Sequence, residues 1–146
     1  MVDVSTEIVI GRPASVVADF AMNPDNAPRW YVNITAVEWR SPRPLALGSR
    51  IAFVAKFLGR QLRYVYEIVE LVPQRRLVMR TAEGPFPMET TYEFEAIGES
   101  ACRARLRNRG APRGFGVLVG PLIAFAMRRA NQNDLTRLKK VLEAAL

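Results

Sequence analysis

The chain has 146 residues, enough for one domain and short of two. An apolar share of 49% and a charged share of 24% are ordinary for a globular protein, which excludes disorder, collagen and coiled-coil arrays. Lys and Arg number 21 against 14 Asp and Glu, a net charge of +7, and there is no histidine and a single cysteine, Cys102.

The two shortages bear directly on chemistry. Without histidine there is no imidazole base, triad member or metal ligand. One cysteine permits no internal disulfide, Cys-rich zinc site or CxxC redox pair, so no metal is expected. Any catalysis would rest on carboxylates, Tyr, Lys, Ser/Thr or a bound cofactor. Met1-Val2-Asp3-Val4 opens without the basic and apolar regions of a secretion signal. The longest uncharged run, Gly114 to Met127, is too short to cross ~30 Å of hydrocarbon and is broken at Gly120-Pro121. The expectation is a soluble, cytoplasmic protein.

Asp3 to Ile10 alternates as a strand, with Val4, Thr6, Ile8 and Ile10 on one face. Gly11-Arg12-Pro13 breaks it, and Pro13 suits the start of a helix that runs to Asn23-Pro24. Asp25 to Tyr31 suggests a second short helical turn. Six strands follow: Ile34–Arg40, Ser49–Phe57, Leu62–Leu71, Arg76–Thr81, Pro87–Ile97 and Ala101–Arg109. Short turns between them favour antiparallel pairing.

Parity tests two of the hairpins. Glu89, Glu93 and Glu95 share a face opposite Met88, Thr90, Tyr92 and Phe94; Arg103, Arg105, Arg107 and Arg109 share a face opposite Cys102, Ala104, Leu106 and Asn108. An odd-length turn around Glu99 sets the Glu row beside the Arg row as a solvated charge ladder. In the other hairpin, Ile51, Phe53, Ala55 and Phe57 meet Leu62, Tyr64, Tyr66 and Ile68 across a short turn near Gly59. Each strand then has one apolar and one largely polar face, as in a curved sheet wet on one side. Gly114 to Leu146 reads as a long helix kinked near Gly120-Pro121. At 100° per residue, Met127, Asn131, Asp134, Leu135, Leu138, Val141, Leu142 and Ala145 fall on its inward stripe.

This order of elements resembles the START-like helix-grip (SRPBCC) superfamily. EIVIGRPASVVADFAMNPDNAPRW is similar to its opening, LGRQLRYVYEIVELVPQRRLVMRTAEGPFP to its central strands, and AMRRANQNDLTRLKKVLE to its closing helix in polyketide cyclase/dehydrase-type members. The resemblance implies an α+β fold over 1–146: a curved antiparallel sheet of about seven strands gripping a long C-terminal helix, with two short helices after strand 1. It also implies an apolar cavity between sheet and helix. Family members bind lipids, sterols, polyketides, hormones or aromatic compounds, and some cyclise or dehydrate them; the fold does not choose among these.

Given that architecture, Phe53, Phe57, Tyr64, Tyr66, Met79, Met88, Tyr92, Phe94 and Leu106 line the sheet side of the pocket, and Met127, Asn131 and Asp134 the helix side. Such a wall suits a hydrophobic small molecule carrying one or two oxygens. Each tyrosine could instead be plain core with its hydroxyl on a backbone partner. Tyr66 and Asp134 are the candidate acid/base residues, with Asn131 orienting a ligand carbonyl. Asp134 could equally bind Arg137 or cap a neighbouring loop. Glu70 shares strand parity with Tyr66 but sits beside the Val72-Pro73 turn, and Cys102 reads as inert packing. GFGVLVG lacks the Lys-Ser/Thr of a phosphate loop, and no cofactor is expected.

The basic excess argues little for nucleic acid, because the Arg row faces glutamates and the aromatics point inward. Residues 115–125, flanked by Arg113, Arg128 and Arg129, could touch an anionic membrane transiently, or form the pocket lid and helix start. Two functions therefore stand side by side: a binder or carrier of a lipid-like, polyketide or aromatic ligand, and a cofactor-free cyclase or dehydratase.

Overall fold

Alternation along the first strand carries straight into the three-dimensional arrangement. In the structure, a computed structural model describing residues 2–57, 59–84, 87–111 and 120–144, β1 (Val2–Ile10) buries Val2, Val4, Thr6 and Ile10 and exposes Asp3, Ser5 and Glu7. α1 (Ala14–Ala21) starts at Pro13, whose carbonyl accepts from Val16 and Val17 N–H, and buries Val17, Ala18 and Ala21. The Asn23 side chain ends this segment by accepting from Asp25 N–H, opening a 3-10 turn over Pro24–Asn26 that leads into α2 (Ala27–Trp30). Asp25 then takes the Trp39 Nε1–H at 2.8 Å and the Arg43 guanidinium, tying this corner to the next strand.

Six strands follow: β2 (Ile34–Trp39), β3 (Arg50–Phe57), β4 (Arg60–Val72), β5 (Arg76–Glu83), β6 (Met88–Ile97) and β7 (Ala101–Gly110). All pairings are antiparallel, in the order β1-β7-β6-β5-β4-β3-β2. The chain thus crosses from one edge of the sheet to the other through α1 and α2, then walks back strand by strand. Phe53 faces Tyr64 and Ala55 faces Leu62, and the three-residue turn after Ile97 puts Glu89, Glu93 and Glu95 opposite Arg109, Arg105 and Arg103.

The charge ladder is broader than one hairpin. Arg103 pairs with Glu95 and Arg109 with Glu89, but Arg105 turns to Glu7 and Arg107 to Asp3 on β1. Glu93 in turn takes Arg76 of β5, because each β7 arginine lies between two acidic rows.

α3 (Gly120–Ala144) closes the concave side, resting on β1, β7 and α2. Ile123, Met127, Asn131, Asp134, Leu135, Leu138 and Leu142 form its buried stripe. Its C-terminal half is pinned to the β1–α1 corner: Gly11 N–H donates to Glu143 Oε2 at 2.7 Å, and Arg12 donates to the Leu142 carbonyl at 2.8 Å. The fold is a helix-grip: a seven-stranded curled antiparallel sheet with short helices after β1 and a long C-terminal helix. The expected helical start at Gly114 and its kink fall partly on 112–119, outside the described residues.

One parity expectation is corrected. β4 carries an extra residue between Ile68 and Glu70, shifting the register from Ile68↔Met79 to Glu70↔Val78. The bulge turns Glu70 to the outer face, where it pairs with Arg76 at 2.9 Å, so it does not share the inward side with Tyr66.

Candidate ligand-binding cavity

The concave row of β3–β6 does not fill the space under α3. The helix lies toward the β1–β7 side, and a cavity of about 140 Å³ remains between it and the rest of the sheet. That is the scale of one aromatic ring, since roughly 150 Å³ of apolar space holds benzene.

Of the residues expected on the wall, Phe53, Tyr64, Tyr66, Met79 and Met88 line the cavity from the sheet, and Met127, Asn131 and Asp134 from α3. Tyr92, Phe94 and Leu106 do not line it. Tyr92 is covered by α2, with Trp30 5.6 Å away ring to ring and the Tyr31 hydroxyl 2.6 Å from its own. Phe94 packs edge-on against Tyr92, and Leu106 is fully buried between Thr6 and Tyr92 in the sheet. The Phe57 side chain lies outside the described part.

Several wall residues were not anticipated. Ala55, Leu62, Thr90 and Asn108 share the parity of residues that were, so alternation alone could have found them. Tyr31 and Asn33 come from the connection between α2 and β2, where no periodicity exists to mark them, and Ile34 opens β2. Ala130 joins from α3, and Lys56, exposed, sits at the rim.

The polar groups form two clusters. Thr90 Oγ–H donates to Asn108 Oδ1 at 2.5 Å, and Asn108 Nδ2 donates to Asn131 Oδ1 at 3.0 Å. This chain orients the Asn131 amide, leaving its buried Nδ2 with no acceptor among the described residues. A buried donor in that state costs about 1–3 kcal/mol. Tyr66 belongs to this cluster: burial pushes its hydroxyl up to about 12, and a hydrogen bond with Thr90 works the other way.

Asp134 anchors the second cluster. Its Oδ1 accepts from Val32 N–H at 2.8 Å, so the carboxyl group caps the α2–β2 connection while lining the cavity. Only 3% exposed, it is pushed up to about 7 by burial, against the Val32 hydrogen bond and the nearby positive charge of Arg137. Tyr31, Tyr64 and Tyr92 are likewise raised above the ordinary phenol range, chiefly by burial. These phenols stay protonated near neutral pH and act as donors or neutral acceptors. Asp134 alone among them changes protonation close to neutrality.

Among the described residues, no group of three His, Cys, Asp or Glu is arranged to hold a metal, and no helix is long and apolar enough to cross a membrane. Cys102 is buried, its thiol pushed up by desolvation.

A family model described as polyketide cyclase / dehydrase and lipid transport matches residues 1–143. The chain belongs to that family. None of the curated proteins matches this chain. Solved structures show the same fold. A START superfamily protein from Mycobacterium smegmatis superposes with a TM-score of 0.87 at 11% identity, covering 99% of both chains. A Thermus thermophilus protein gives 0.82 at 23% identity over 98% of both. The Zhui aromatase/cyclase from a Streptomyces species gives 0.79 at 15% identity, over 97% of this chain and 93% of its own.

Proposed function

We propose that this polyketide cyclase / dehydrase family member binds a hydrophobic small molecule, lipid-like, polyketide or aromatic, between its sheet and α3. One observation carries the reading: an apolar cavity lined by Asn131, whose buried Nδ2 has no acceptor among the described residues. A neutral ligand oxygen such as a carbonyl would relieve that unpaired donor, while Phe53, Ala55 and Leu62 hold the apolar body. Met79, Met88 and Met127 make the wall pliable, because unbranched thioether chains repack at little cost. A ligand larger than one ring would enter by displacing them.

The test is native mass spectrometry of the protein purified from its own host, with identification of whatever organic solvent releases. A stoichiometric apolar compound is expected. The Ala130→Phe variant, which fills the cavity, should lose it. An empty wild-type protein, or equal retention by the variant, would overturn the reading.

A second reading, a cofactor-free cyclase or dehydratase, is favoured by Asp134 standing three residues from Asn131 on the same helix face with a pKa near 7. In it, Asn131 holds a carbonyl oxygen and Asp134 moves a proton at the adjacent carbon. Asp134→Asn should then abolish turnover of the released compound while binding persists. A binder without chemistry would show no turnover in either protein.

A further inference from the structure

We propose that the outward face of the first half of α3 docks on an anionic lipid surface, whatever occupies the cavity. Leu122 and Phe125 are 56% and 62% exposed, one turn apart on that face. Arg128 and Arg129 follow, both exposed and without an ion-pair partner among the described residues. At 100° per residue all four lie within about 60° of Phe125, so they form one stripe. The other large exposed apolar side chains among the described residues, Val9, Val32, Leu47, Val72 and Ile97, stand apart on three strands and two loops.

Charge decides the occupant. From Ser100 to Asn133 the sequence holds seven arginines and no Asp or Glu. The four in β7 are matched by Glu95, Glu7, Asp3 and Glu89, which leaves the α3 pair facing outward uncompensated. An apolar pair beside two free cations matches an interface in which acyl chains lie just beneath anionic headgroups. A second copy fits badly: a two-fold contact through this stripe would set Arg128 and Arg129 against their own images, in a chain of net charge +7. A nucleic acid would take the arginines and leave Leu122 and Phe125 in water. The same helix turns Met127 and Ala130 to the cavity, so a docked molecule holds its cavity wall within one helix diameter of the lipid.

Flotation of the full chain on vesicles of phosphatidylcholine alone, and with about a third phosphatidylserine, tests this at low and high salt. Binding to the anionic vesicles only, weakened by salt, is expected. Leu122→Ser with Phe125→Ser should lower the bound fraction at least tenfold, and Arg128→Gln with Arg129→Gln by about fivefold for each arginine. All four positions are exposed, so unchanged circular dichroism and melting temperature would show the variants folded. Absence of flotation, equal binding to neutral vesicles, or indifference to the substitutions would overturn the proposal. So would a dimer that Phe125→Ser turns into a monomer, or capture by an acidic protein surface without vesicle binding.

Discussion

Asp134 is a carboxyl group placed where its charge is expensive. In the unfolded chain it titrates near 3.8; in the folded protein it holds its proton to about 7. Between those values the native state binds the extra proton, so folding stability falls as pH rises from about 4 to 7 and then levels. At roughly 1.4 kcal/mol per pH unit the loss reaches a few kcal/mol. Asp134→Asn keeps an oxygen for Val32 N–H and cannot ionise. Its melting temperature should stay flat over that window and exceed the wild type at pH 8, read by calorimetry across pH; parallel slopes for the two proteins would remove Asp134 as the cause. Asp134→Ala, which orphans Val32 N–H, should be the less stable protein at acid pH as well.

At the level of elements, the β6–β7 hairpin shows how two glycines do different jobs. A Cβ on Gly110 would collide with the Pro87 carbonyl and the Met88 sulfur, because β6 and β7 meet there beneath the cavity wall. Gly98 has open space around it but a φ of 67° in the turn. Gly110→Ala should therefore cost roughly 1–3 kcal/mol through overpacking and disturb Met88, whereas Gly98→Ala should cost about 1 kcal/mol through backbone strain alone. Urea midpoints separate them, and ligand binding should suffer only in the first. This hairpin was also the part most legible in the sequence, since alternation with period two and a turn of fixed length determine register almost uniquely. The same logic reached Phe53, Tyr64, Met79 and Met88, and helical periodicity reached Met127, Asn131 and Asp134. It misjudged Glu70 because a bulge inverts parity without a sequence mark. It misplaced Tyr92, Phe94 and Leu106 because facing inward does not say whether a helix will cover a residue or leave it beside a gap. Tyr31, at the end of a four-residue helix, had no pattern to betray it.

Over the whole molecule, acid pairs work in the opposite sense to Asp134. Asp3, Asp25 and Glu89 sit below the usual carboxylate range, Asp3 through Arg107, Asp25 through Arg43 and Trp39, and Glu89 because burial, its largest single influence and an upward one, is outweighed by Arg80 and Arg109 together. Depressed carboxyl groups add stability above pH ~4 that is lost as pH falls through their folded values. Asp3 and Asp25, being exposed, contribute little alone, and the half-buried Glu89 somewhat more. Melting temperature should accordingly peak near pH 4–5, falling on the acid side through these pairs and on the neutral side through Asp134. Raising salt to 1 M should blunt the acid limb and leave the neutral limb nearly intact, because the ladder is solvated and Asp134 is buried. A limb on the neutral side that shrank with salt in equal measure would contradict this assignment.

The pairing of β1 with β7 ties residues about a hundred positions apart, from Val2 opposite Gly110 to Ile10 opposite Cys102. During synthesis, then, the first strand emerges with its apolar row and no neighbour to zip onto. Its partner is made only about a hundred residues later, and the helix that covers both comes later still. Such distant closure makes folding slow and favours completion in one late cooperative step. Until then β1 has both edges unpaired, where the finished sheet leaves it one. Crowded nascent copies should therefore pair β1 with a neighbour's more readily than dilute ones, so refolding yield should fall as protein concentration rises.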